Sequence, residues 1–284
     1  MKVYIISNDL KDIDLKVTDS FKAILDEKNI EYKVNIIHQI NDYNIKSYTD
    51  VSDIDDDTDV VFVIGGDGTL IQAARDISKA DIPIIGINMG HLGFLSEIEP
   101  GNLRESLEMI INGDYKLENR IMLSGNVYRG NEVVYKDIAL NDVVISRADS
   151  LKVIDFDIYV DGEYLNHYTA DGVIVTTPTG STAYNLSAGG PILEPGAKIM
   201  AITPICSHTL SNRSVVLSAD SVVEVKVKEG RHEDDSNTTV YFDGGGIYSL
   251  RKGDVLRVSL SEKSTKFLKL NKMSFIEILH KKMT

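Results

Sequence analysis

Cysteine is almost missing from this chain of 284 residues: Cys206 is the only one. That excludes an internal disulfide and any zinc site built from several cysteines, and makes a reducing, cytoplasmic compartment the expectation. Positive charge is also short, with 30 Lys and Arg against 43 Asp and Glu and a net charge of -13. Such a balance disfavours broad binding to nucleic acid but leaves room for a small anionic substrate in a local pocket. No uninterrupted apolar run reaches the roughly eighteen residues of a membrane span, so no membrane partner is expected. The N-terminus, Met1-Lys2-Val3-Tyr4-Ile5-Ile6 before Ser7-Asn8-Asp9, reads as a first strand rather than a signal peptide. Two familiar nucleotide signatures are absent, the GxxxxGK[ST] P-loop and the GxGxxG that opens a Rossmann helix, which disfavours hydride transfer. The 6 histidines are scattered, with no HExxH arrangement; only His91 and His208, in glycine- or serine-rich loops, stand near candidate chemistry.

What is present is a soluble globular composition, 43% hydrophobic and 26% charged, long enough for two ordinary domains. The stretch Val60-Val61-Phe62-Val63-Ile64-Gly65-Gly66-Asp67-Gly68-Thr69-Leu70 organises the first. Its apolar half reads as a buried strand, and its glycines turn the chain into a helix starting near Thr69, where free backbone N–H groups suit phosphate oxygens. Asp67 would repel phosphate unless it takes a proton or works beside a cation. Around it, 2–7 and 32–37 read as strands, 12–29 as a helix and 38–59 mainly as polar surface connection. Residues 82–88 follow as a strand, with a loop at 89–95 facing the same sheet edge. Asn102 and Glu105 form a capping box for a helix that Gly113 ends. This is an open, Rossmann-like α/β sheet.

Beyond residue 118 the apolar period changes from 3.6 to 2. Ile154, Phe156, Ile158 and Val160 alternate with polar neighbours before the hairpin pair Asp161-Gly162. The sets 223–227, 238–242 and 256–260 repeat the pattern, with a solvated hairpin loop at Arg231–Asn237, so the second domain is expected to be all-β and sandwich-like. A strand at 266–270 and a helix capped by Ser274 and Glu277 close the chain. Two further stretches combine polar groups without a packing reason: Asn141-Asp142 ahead of a strand, and the run 169–191, rich in small hydroxyls and glycine with one aromatic, Tyr184. Hydroxyls and amides suit a ribose, and Tyr184 can cover a flat ring. Taken singly, each also reads as structure: a tight turn at 65–69, Asx turns at Asn141 and Asp171, a core position for Tyr184.

Together these stretches, with Asn88-Met89-Gly90-His91-Leu92-Gly93-Phe94-Leu95 and Ser207-His208-Thr209-Leu210-Ser211-Asn212-Arg213, resemble the bacterial-type NAD kinases over nearly the full length. The glycine turn alone is shared with diacylglycerol kinases and phosphofructokinases; the combination in this order is specific to the family. The resemblance implies transfer of the γ-phosphate of ATP, or of polyphosphate, to the 2′-hydroxyl of the adenosine ribose of NAD, giving NADP. It implies Mg2+ or another divalent cation, and a homodimer or homotetramer. It makes Asp67 the catalytic carboxylate and places Gly66, Gly68 and Thr69 at the phosphates. Asn141 and Asp142 match the pair on the nicotinamide-side ribose, and Asp171 the contact to the nicotinamide end. Thr182, Ala183 and Tyr184 line the dinucleotide pocket, and Ser187 lies near adenine. Thr169 stands where several relatives carry arginine, and Asp243-Gly244-Gly245 where relatives often read Asp-Gly-Gln. The expected domains are 1–118, 119–268 and a segment 269–284 that packs back on the first, with a site between domains or completed by a neighbouring subunit. The alternatives are another kinase with this turn, acting on a lipid or sugar, and a non-catalytic dinucleotide sensor.

Overall fold

The computed structural model describes residues 1–38, 48–90, 93–148, 152–209, 212–228, 238–270 and 273–283. His91 and the Arg231–Asn237 loop lie outside the described residues, as do residues 39–47 of the expected polar connection at 38–59. The chain forms two compact units, Met1–Arg120 with Ser264–Thr284, and Ile121–Lys263.

The first unit runs β1 (Lys2–Asn8), α1 (Lys16–Glu27), β2 (Glu31–Ile37), β3 (Val60–Gly65), α2 (Asp67–Asp76), β4 (Ile84–Asn88) and α3 (Leu103–Asn112). Its strands pair in parallel in the order β2-β1-β3-β4. Every residue of β3 and β4 is buried, as a parallel sheet covered on both faces requires. Phe21, Leu25, Leu103 and Leu107 from the helices close over Val3, Ile5, Phe62 and Ile64.

The starts of α1 and α3 differ from expectation. Asp14 and Leu15 are left-handed at φ 58° and 53°, so α1 begins at Lys16 rather than at residue 12. Asp12 still serves it: its carboxylate accepts the N–H groups of Val17 at 2.9 Å and Thr18 at 2.8 Å, as a cap would. At α3 the Asn102 side chain makes no capping hydrogen bond, because a 3-10 turn over Pro100–Asn102 leads into the helix. Gly113 ends that helix at φ 79°, as expected.

The second unit is built from β5 (Lys116–Arg129) from Ile121 onward, β6 (Glu132–Ala139), β7 (Asp142–Arg147), β8 (Ile154–Val160), β9 (Glu163–Ala170) and β10 (Gly172–Thr176). The short helix α4 (Tyr184–Ser187) follows, then β11 (Ile199–Ile205), β12 (Val215–Ser218), β13 (Val223–Val227), β14 (Thr238–Phe242) and β15 (Tyr248–Leu250). Among the described residues, β12-β11-β10-β7-β14-β15 form one antiparallel sheet. Strands β9, β8 and β13 pair antiparallel in a second layer. Val143, Ile145, Val173 and Val175 from the first layer meet Phe156, Ile158, Val223 and Val225 from the second in one core. That is the expected sandwich.

The strands expected at 256–260 and 266–270 are one, β16 (Val255–Lys269). Its early residues pair with β13, and Phe267 pairs in parallel with Ile84 of β4. Beyond it α5 (Phe275–Met283) carries the expected capping box: Ser274 N–H donates to Glu277 Oε2 at 2.6 Å and Glu277 N–H to Ser274 Oγ at 3.2 Å. No described helix is long and apolar enough to cross a membrane.

Candidate active site

In the first unit, β3 delivers the chain at the carboxyl edge of the parallel sheet, where open α/β folds keep their ligands. Gly66 is extended at φ -98° and ψ 179°, and the helix begins at Asp67, two residues before the expected start. Asp67 therefore occupies the first helical position, where the positive end of the helix dipole favours a carboxylate.

That carboxylate is held from the loop after β4. Phe94 N–H donates to Oδ2 at 3.0 Å and Ser96 Oγ donates to Oδ1 at 3.3 Å. Gly93 lies so close that a Cβ there would stand 2.1 Å from Oδ1. Loop and turn are tied together by Met89 N–H on Gly65 O at 2.9 Å. Asn8, at the end of β1, donates from Nδ2 to Thr69 Oγ1 at 3.1 Å. The result is one oriented, half-buried carboxylate beside the amides of a helix start. It has lone pairs left for a substrate hydroxyl.

The second unit carries a cleft of about 370 Å3 lined by Asn141, Asp142, Ala183, Tyr184, Tyr241 and Asp243, with Val144, Ser146 and Gly244. Asn141 and Asp142 lie at the start of β7, where the backbone is held from both sides. Thr177 Oγ1 donates to Leu140 O at 2.6 Å, while Thr177 N–H and Thr176 Oγ1 donate to Asn141 O at 2.8 and 3.1 Å. Gly180 packs against the same carbonyl, and a Cβ on it would come within 2.3 Å. Asp142 is 5% exposed. Burial, and then the nearby Asp243 charge, push its carboxyl up to about 7. Asn141 Oδ1 is buried without a hydrogen-bond partner, a vacancy suited to a hydroxyl donor.

Tyr184 is not core: it is 45% exposed on the cleft wall at the start of α4. Burial of its remainder, then Cys206 and the Asp142 and Asp171 carboxylates, raise its hydroxyl pKa.

Four residues tied by resemblance to the dinucleotide lie outside the cleft lining. Thr169 donates to Asp155, and its carbonyl accepts His208 N–H at 2.9 Å. Asp171 pairs with Arg147 Nε at 2.7 Å. Thr182 Oγ1 donates to Thr179 O at 3.4 Å, and Ser187 ends α4 exposed.

Sequence reasoning named Gly93 and Asp243 only within longer motifs, without placing them at Asp67 and the cleft, and it missed Ser96. It also missed Asn185, fully buried, whose Nδ2 donates to Pro191 O at 2.9 Å and whose Oδ1 accepts from Thr203 Oγ1 at 2.7 Å. Only Asp243 had a readable signal, an Asp-Gly-Gly ending an alternating strand.

A glycine turn presenting a carboxylate at a helix start, with a sandwich whose cleft gathers an amide, a carboxylate and an aromatic, define a nucleotide-handling phosphotransferase. Residues 5–115 match the family model for the ATP-NAD kinase N-terminal domain, and residues 140–270 that for the ATP-NAD kinase C-terminal domain. The chain is 43% identical to the NAD kinase of Lachnospira eligens, covering 99% of each. It is 39% identical to that of Agathobacter rectalis, over 98% of this chain and 97% of the relative. Yeast NADH kinase complexed with NADH superposes with a TM-score of 0.86 at 25% identity, over 100% of this chain and 87% of that one. The fold is shared also with an NAD kinase from Archaeoglobus fulgidus in complex with ATP, at TM-score 0.74 and 24% identity, over 96% and 95% of the two chains. The chain belongs to the NAD kinase family, and its activity is the phosphorylation of NAD.

Proposed function

We propose that Asp67 is the general base of this reaction and that the cleft at Asn141–Asp142 receives the dinucleotide. The reaction moves the γ-phosphoryl group of ATP to the 2′-hydroxyl of the adenosine ribose. The ribose oxygen forms the new bond to phosphorus, the bond to the β–γ bridging oxygen breaks, and ADP leaves. The hydroxyl proton passes to Asp67. A secondary hydroxyl is a poor nucleophile at neutral pH, and phosphoryl transfer depends chiefly on alignment and on neutralising the moving charge. Asp67 fits both needs because its two donors fix its direction without occupying all its lone pairs. That clamped carboxylate is the observation that carries the reading.

At the cleft, Asp142 accepts from ribose hydroxyls and Asn141 offers an unfilled acceptor. Clamping the diol of one ribose limits where the other hydroxyls can go, and so selects the position phosphorylated. Tyr184 presents a face to a planar ring. We assign Gly66, Gly68 and Thr69 to the phosphates, and Thr169, Asp171, Thr182, Ala183 and Ser187 to supporting the dinucleotide on the resemblance alone.

A divalent cation fits the oxygen donors at the turn, the Asp67 carboxylate and the Thr69 hydroxyl. Among the described residues no cluster of three metal-ligating side chains forms a cage. When bound, the cation supplies neutralisation of phosphate charge.

The test supplies purified protein with ATP, Mg2+ and NAD and assays NADP with an NADP-specific dehydrogenase, wild type beside Asp67→Asn. The variant should retain NAD binding and lose about 10²–10⁴-fold in kcat. Turnover near wild type would remove Asp67 from the reaction. Parallel runs with NADH and with polyphosphate identify the preferred acceptor and donor.

A further inference from the structure

The turn after β14 is built to aim one side chain. Asp243 and Gly244 are left-handed at φ 52° and 71°, and Gly245 N–H closes on Phe242 O at 2.9 Å. Both central residues at positive φ make a hairpin turn, a conformation aspartate tolerates and glycine adopts freely. From there the Asp243 carboxylate reaches the segment that opens β7, a hundred residues earlier. Oδ2 accepts Leu140 N–H at 2.8 Å, and Oδ1 accepts Asn141 N–H at 2.7 Å and Asp142 N–H at 3.0 Å. Asp243 N–H returns a bond to Asp142 O at 3.0 Å.

We propose that Asp243 is a positioning residue for NAD recognition, locking the backbone of 140–142 so that the Asn141 and Asp142 side chains meet the substrate in a fixed geometry. The proposal rests on the assignment of the cleft to the dinucleotide. With the Thr176 and Thr177 bonds to the carbonyls of 140 and 141, the N–H and C=O groups of all three residues are occupied within the protein. Only the Asn141 and Asp142 side chains remain to face the cleft.

Three successive N–H groups converging on one anion is the geometry of a backbone nest, filled here from within. Only an acceptor-only group can serve all three. An amide at 243 would set its NH2 against one of the donors. The carboxylate has a cost, since it stands beside Asp142 and disfavours that group's ionised form. A device serving only stability would avoid two neighbouring carboxylates.

The groups facing Asp142 are Asp243 from the β14 turn, Tyr184 from α4, and the neutral Thr176 paired with it across β10. Tyr184 stays uncharged through the neutral range, so Asp243 is the charge that tunes Asp142.

Steady-state kinetics of the full chain test this with Asp243→Asn beside Asp142→Ala. Asp243→Asn should raise the KM for NAD about tenfold or more, with the KM for ATP and kcat changed less than about threefold. The inflection of its NAD KM against pH should also move to lower pH, a readout that lost stability would not shift. An unchanged NAD KM and inflection, with the Tm merely lowered, would overturn the proposal. If Asp142→Ala still raised the NAD KM, positioning alone would fail; if it did not, the cleft assignment would fall too. Should Asp243→Asn not fold, amide exchange of the wild type decides. Slow exchange at Leu140, Asn141 and Asp142 supports the anchor, and exchange at the rate of a free peptide overturns it.

Discussion

Adding one methyl group at Gly93 should disable the site. A Cβ built there stands 2.1 Å from Asp67 Oδ1 and 2.5 Å from its Cγ and Oδ2. Ordinary contact begins more than 1 Å further out, so the carboxylate or the loop must retreat by roughly 1 Å. Neither clamp survives that movement, since the Phe94 and Ser96 bonds already span 3.0 and 3.3 Å. A hydrogen bond to a charged group is worth about 1.5–3 kcal/mol. For a domain of this size each kcal/mol lowers Tm by about 2–4 °C. Gly93→Ala should therefore stay folded near room temperature. Misplacing a catalytic group by about 1 Å costs on the order of 10²-fold in rate. The coupled NADP assay at saturating ATP and NAD reads that loss in kcat, with the KM for NAD near wild type. Ser96→Ala, which removes one of the two donors, the longer at 3.3 Å, and adds no bulk, should lose less than Gly93→Ala does. A kcat for Gly93→Ala within twofold of wild type would refute the reasoning, because the close approach would then not be constraining Asp67.

Other expectations concern the second unit. Asp142→Ala should raise the KM for NAD about tenfold or more by leaving ribose hydroxyls unpaired, at about 1–3 kcal/mol each; titration with NAD checks it directly. Because the folded-state pKa of Asp142 is raised to about 7, the wild-type KM for NAD should climb as pH falls through that value and the carboxylate takes up its proton. Stability runs the other way. The contribution of a group with a raised pKa is complete below its ordinary value near 3.8 and gone once pH has risen through about 7. Asp142→Asn should thus raise Tm at pH 8, by much less at pH 5, while NAD binding weakens; calorimetry at the two values tests the sign. Arg129→Met strips the cation from Asp254, 1% exposed and bridged at 2.9 and 2.7 Å. Asp254 then keeps only the Arg251 N–H at 2.8 Å, and the variant should unfold at lower urea with no change in the KM for NAD.

The elements legible beforehand are those whose signal is local. The β3 run is continuous and apolar because both faces of a parallel strand are covered, and the glycines after it demand a turn. The Asp161-Gly162 hairpin and the Ser274–Glu277 box are likewise fixed within a few residues of chain. Helix starts were less legible. Leu15 adopts a φ value that a leucine rarely takes, and Asp67 begins its helix earlier than its glycine neighbours suggest. Asp67, Asn141, Asp142 and Tyr184 could be named as candidates because a carboxylate in a glycine turn and polar groups without a packing role are visible in one dimension.

The sequence alone therefore determined which residue types are candidates for the chemistry and the two periods, 3.6 then 2, that divide a helix-bearing sheet from a sandwich. Tertiary structure decided what those residues are in place. Gly93 presses on Asp67 across 26 positions, and the Asp243 carboxylate meets the Leu140 amide across 103. Burial at the cleft makes Asp142 a group that titrates near 7 rather than near 3.8. Propensity and pattern act over neighbouring residues. Orientation, desolvation and charge coupling depend on distances in space, and only the folded chain sets those.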